Sequence, residues 1–86
     1  MIVPTKGVAP QRALLAVGAQ IVLATEQQPV TINQAWRRLL SWREENHHRA
    51  PLTFGWFALA LDLLYALGLV ELDRDVLVFL ARDDAA

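Results

Sequence analysis

From Leu52 to Val70 the chain carries one charged residue, Asp62, in an otherwise apolar run that reads Leu-Thr-Phe-Gly-Trp-Phe-Ala-Leu-Ala-Leu-Asp-Leu-Leu-Tyr-Ala-Leu-Gly-Leu-Val. The run is long enough to span a bilayer. A carboxylate at its middle costs about 2.5–3.5 kcal/mol on insertion scales, and Gly55 and Gly68 punctuate it. It is therefore expected to be a buried helix of a soluble domain. Thr53 is suited to cap its start through its hydroxyl, the helix is expected to run to Leu67, and Gly68 fits the left-handed residue that closes a helix.

An 86-residue chain has room for one domain. We expect that domain over residues 1–82, with a frayed tail at 83–86. Hydrophobic residues make up 55% of it, above the roughly 45–50% of an ordinary domain. A body this small has much surface for its volume, so part of that apolar material is expected to face another chain. Net charge is −1, without the basic excess through which nucleic-acid binders neutralise phosphate. Cysteine is absent, which excludes a disulfide framework and a thiolate zinc site and fits a cytoplasmic setting. The start, Met1-Ile2-Val3-Pro4-Thr5-Lys6-Gly7, has no basic-then-apolar export pattern.

Along the chain, Ile2 to Pro4 reads as a short edge strand, limited by the proline. Residues 11–25 read as a helix with Pro10 in its first turn, apolar on most sides. Pro29 and Val30 follow, the latter suited to one bridge of a small sheet. Thr31 caps a second helix reaching about Asn46, with the apolar stripe Ile32, Ala35, Trp36, Leu39, Leu40. After the third helix, residues 69–73 and 76–80 flank Arg74-Asp75 as a hairpin. Three short-linked helices with a C-terminal hairpin wing predict a mainly α, α+β fold of winged helix-turn-helix layout.

In a DNA-binding winged helix the third helix reads base edges with Arg, Lys, Asn, Gln or Ser. Here it has none of these, and its one charge is negative. On a helical wheel its large side chains fall in two sectors. Phe54, Phe57, Leu61, Leu64 and Tyr65 are expected to supply the core. Trp56, Leu59, Leu63 and Leu67, with Asp62 nearby, are expected to meet a partner, Trp being a type that anchors interfaces. If buried, Asp62 needs a cationic neighbour, for which Arg12, Lys6 or a group on another chain are candidates.

Arg37, Arg38, Arg43 and Arg49, with His47 and His48, form the one basic concentration, interrupted by Glu44 and Glu45. It reads first as a solvated helix face, and second as a weak contact with nucleic-acid backbone or an acidic partner. Two histidines at a helix end suit the carbonyls exposed there better than a metal. No catalytic residue or cofactor site is expected: Ser41 stands alone on a polar face, Glu44 and Glu45 are adjacent, and Gly7, Gly18, Gly55 and Gly68 are too scattered for a phosphate loop.

Three stretches carry a family resemblance: Met1-Ile2-Val3-Pro4-Thr5-Lys6, Arg12-Ala13-Leu14-Leu15-Ala16-Val17-Gly18-Ala19, and Leu52 to Gly68. Together they resemble the small middle components of bacterial ABC-three-component systems, which are related to Lamassu-type antiphage defence. The resemblance covers about residues 1–73. It implies a non-catalytic adaptor in a hetero-oligomer with an ATPase similar to Rad50 and other SMC proteins, and with an effector subunit. It also implies a reason for the apolar third helix, since permanent interfaces resemble a domain core cut in half. Two other readings stay open on the residues alone: a DNA-binding winged-helix regulator, and an antitoxin-like domain that pairs with itself.

Overall fold

The computed structural model describes residues 10–80. The strand expected at Ile2–Pro4, the tail at 83–86 and the ends of the expected domain lie outside them. Helix α1 spans Pro10–Thr25, strand β1 Val30–Thr31, α2 Ile32–Glu45, α3 Phe54–Ala66, β2 Val70–Asp73 and β3 Val76–Phe79. The architecture is α+β and mostly helical, three helices against one antiparallel sheet of order β1-β3-β2. This element order is compatible with the winged-helix layout. No helix of the described residues is long and apolar enough to cross a membrane.

Local chemistry sets the boundaries. Thr31 caps α2 with a full capping box: its Oγ1 accepts from the Gln34 N–H at 3.1 Å, while its own N–H donates to Gln34 Oε1 at 2.9 Å. Thr53 caps α3 by accepting from the Trp56 N–H at 3.2 Å. At the far end Gly68, at φ +76°, donates to the Tyr65 carbonyl, and Leu69 donates to that of Leu64. These two bonds close α3 as a Schellman motif, whose left-handed residue is cheapest as glycine. The same pair of bonds closes α2, from His47 to Glu44 and from His48 to Arg43, with His47 in the left-handed region at φ 61°.

Val30 does more than form a bridge. It pairs with Leu77, and Thr31 pairs with Val76, so β1 is a true strand lying beside β3. In the hairpin Val70 faces Phe79 and Leu72 faces Leu77. Directly opposed residues share a sheet face, which makes Val70, Leu72, Leu77 and Phe79 the apolar one. Asp73 opposes Val76 across the two-residue turn, and both central residues have positive φ, Arg74 at 52° and Asp75 at 71°. Such turns favour Asn-Gly, because other residues pay a steric cost there. The pair Arg74→Asn, Asp75→Gly is therefore expected to stabilise the fold by about 1 kcal/mol, raising the melting temperature by roughly 4–8 °C. An unchanged thermal melt would mean that the turn is unstrained.

The core is formed by Val17 and Ile21 of α1, Ala35 and Leu39 of α2, Phe57, Ala60 and Leu64 of α3, and Val30, Val70 and Leu77 of the sheet. Gly18 sets the spacing of α1 and α3: a Cβ at this position would lie 3.1 Å from Leu64 Cδ2. Trp36 ties α2 to the start of α3 through ring contacts with Phe54 at 5.4 Å and Phe57 at 5.1 Å. Buried Thr25 donates its hydroxyl to the Ile21 carbonyl at 2.8 Å, so its polarity costs the core little.

Candidate functional site

Helix α3 buries only part of the sector assigned to the core on the wheel: Phe57 and Leu64 are buried and Leu61 packs partly against the core, while Phe54 and Tyr65 are exposed. Its buried residues are Phe57, Ala60 and Leu64, and Ala60 lies between the two apolar sectors. The line of contact with the body thus runs through Phe57, Leu64 and a small residue, Ala60, which lets the helices approach closely, and the remaining large side chains of the two sectors flank that line. On one flank lie Trp56, Leu59, Leu63 and Leu67. Leu59 is 52% exposed and Leu67 49%, while Trp56 and Leu63 are half-buried. On the other flank Phe54 and Tyr65, expected in the core, are exposed instead. The signal that locates the core line was available: Ala60 sits between Phe57 and Leu64 at helical spacing.

Asp62 is exposed. The cationic neighbour that a buried carboxylate needs, sought at Arg12 or Lys6, is not required; Lys6 lies outside the described residues. No group of three or more His, Cys, Asp or Glu among the described residues is arranged to hold a metal ion.

The basic concentration of the sequence is divided by the fold. Arg37 and Arg38 line a shallow cleft shared with Glu26 and Glu45. Arg38 donates to Gln28 Oε1 at 3.0 Å, and to the Thr25 carbonyl at 3.4 Å. Arg49 lies in a separate cleft beside His47 and His48, where His48 stacks on Trp42 at 5.4 Å. Arg43 belongs with the body of the protein. It is buried and donates to Gln20 Oε1 and to the Ala50 carbonyl, both at 2.7 Å. Burial pushes its guanidinium below the ordinary value. Its position marks it in the sequence, four residues after Leu39 and eight after Ala35, on the buried stripe of α2.

Arg43 therefore acts as a strut between α2, α1 and the loop that leads to α3. Arg43→Leu is expected to cost about 1–3 kcal/mol, because both acceptors lose a charged donor. Denaturant unfolding measures the loss, and limited proteolysis should find faster cleavage between residues 46 and 53. Equal stability and equal cleavage would contradict the strut.

With this geometry in place, the chain's kinship can be read. The model of the ABC-three component (ABC-3C) system Middle Component 6 family matches residues 3–81. The chain belongs to this family. The match spans all three helices and the sheet, so the resemblance seen in the α1 and α3 stretches extends over the whole described fold. As a middle component of a multi-subunit system, a Middle Component 6 protein has protein partners. No curated protein and no solved structure matches the chain.

Proposed function

We propose that this Middle Component 6 protein is a non-catalytic, cytoplasmic adaptor that joins an SMC/Rad50-like ATPase to an effector subunit in a Lamassu-related antiphage complex. The observation that carries the adaptor role is the chemistry of α3. The helix that would read DNA in a winged-helix regulator offers no Arg, Lys, Asn, Gln or Ser to bases or phosphates, yet it leaves Leu59 and Leu67 about half exposed. Those residues, with Trp56 and Leu63, form a stripe at helical spacing that fits a largely apolar, long-lived interface, and Asp62 sits on the exposed side of the same helix. The identity of the ATPase and effector rests on the resemblance to ABC-three-component and Lamassu-related systems.

The test is co-expression of the tagged chain with the products of its flanking genes, followed by pull-down and mass determination by light scattering. A stable assembly containing a large coiled-coil ATPase is expected. A lone monomer or a homodimer contradicts the reading. So does tight DNA binding by the isolated chain that falls steeply with added salt, the signature of phosphate contacts, for which Arg12, Arg37, Arg38, Arg49 and Arg74 are exposed cations.

A further inference from the structure

The second flank of α3 is the wall of a groove. Phe54, Leu61 and Tyr65 form one side, and the apolar sheet face at Leu72 and Leu77 forms the other, enclosing about 450 Å³. Phe54 is 47% exposed, Tyr65 64% and Leu72 52%. Among the described residues Asp62 is the one charged side chain lining the groove. We propose that this groove is a second docking site, which takes an amphipathic helix of a partner subunit carrying a Lys or Arg against Asp62. The proposal rests on the adaptor reading and deepens it, giving α3 two opposed binding flanks.

Charge selects the occupant. Covering the groove with an apolar surface alone would strip water from the Asp62 carboxylate without compensation, which is costly; an occupant that brings a cation removes the penalty. A second copy of this chain does not, because a two-fold contact through the groove brings one Asp62 towards another. The walls are a helix flank and the sheet face carrying Leu72 and Leu77, where an occupant meets apolar side chains. The occupant must then satisfy its own backbone groups, as a helix does. From Phe54 to Tyr65 the wall runs about 16 Å at 1.5 Å per residue, room for roughly three turns.

The test uses the co-expressed assembly, with the full chain carrying Asp62→Lys or Tyr65→Glu. Both residues are exposed, so circular dichroism should show unchanged folding. Asp62→Lys is expected to weaken binding of the grooved partner by about tenfold or more, and Tyr65→Glu by about thirtyfold. A photo-crosslinking residue at position 65 should couple to a helical partner peptide bearing Lys or Arg. Reversing that partner charge should restore binding to Asp62→Lys. Wild-type affinity in both variants, or a crosslink to a second copy of this chain, overturns the groove while a normal assembly keeps the adaptor reading intact. If the wild-type chain forms no assembly at all, the adaptor reading fails and the groove inference falls with it.

Discussion

The double substitution Leu59→Asp, Leu67→Asp is expected to release the chain from its assembly and leave it folded. Both side chains are about half exposed in the free chain, and neither belongs to the core cluster. Their replacement therefore removes little internal packing. In the assembly each carboxylate would be forced into an apolar contact, at about 2 kcal/mol or more apiece. Roughly a thousandfold loss of affinity follows if the two effects add. Trp56 and Leu63 are poorer probes, since both are half-buried and their replacement mixes folding with binding. The check is pull-down of the double variant beside circular dichroism. A folded variant that still assembles with wild-type affinity would remove the α3 stripe from the interface.

Phe57→Ala is expected to have the largest effect on the fold itself. Phe57 is fully buried and contacts the rings of Trp36 at 5.1 Å and Phe54 at 5.3 Å. Truncating a buried phenylalanine costs about 3–5 kcal/mol, through lost transfer energy and the cavity left behind. Small domains lie near the low end of a stability range of about 5–15 kcal/mol. The isolated variant should therefore be largely unfolded near 37 °C, with no cooperative melt above that temperature. Because a partner that binds only the folded state stabilises it by mass action, co-expression should rescue part of the soluble yield. A melt displaced by less than the equivalent of 1 kcal/mol would contradict the placement of Phe57 at the centre of the core.

Most of the element order is legible in the residues, because each boundary has a local cause. Thr31, Thr53 and Gly68 act as caps by side-chain or backbone chemistry that needs no tertiary context. The hairpin shows in the two β-prone runs around Arg74-Asp75. Less legible is anything that depends on what packs against what. Helix α3 is apolar almost all round, so its wheel has two equivalent-looking sectors and no polar face to orient it. The helical spacing of Phe57, Ala60 and Leu64 marks one of several apolar lines on this helix, and the approach of α1 at Gly18 to Leu64 selects it as the core line. Arg43 is hard to place for a related reason: a guanidinium is normally solvated, and of its two internal acceptors Ala50 is in the following loop while Gln20 comes from α1, far back in the sequence. The pairing of β1 with β3 is likewise a long-range contact that two residues cannot announce.

The division of the cations bears on function as much as the apolar stripe does. Arg43 is engaged inside the fold, and Arg37, Arg38 and Arg49 are spread over two clefts, one of which also holds Glu26 and Glu45, so the basic concentration of the sequence does not form one cleft among the described residues. Helix α3 and its C-cap carry Phe54, Leu59, Tyr65 and Leu67, half of the exposed large apolar side chains among the described residues; Leu15 and Leu23 on α1, Leu40 on α2 and Leu72 on β2 are the others. Patches of this kind on a small protein mark interaction sites.

The most direct test of the central claim is hydroxyl-radical footprinting of the chain alone and within its co-expressed assembly, read by mass spectrometry at side-chain resolution. Our account predicts that Trp56, Leu59 and Leu67 lose reactivity in the assembly, while the side chains around Arg37 and Arg49, including Trp42 and His48, keep theirs. The opposite pattern, with α3 unchanged and the basic clefts protected, would show that the chain meets its partners through charge and that its apolar helix serves only the fold.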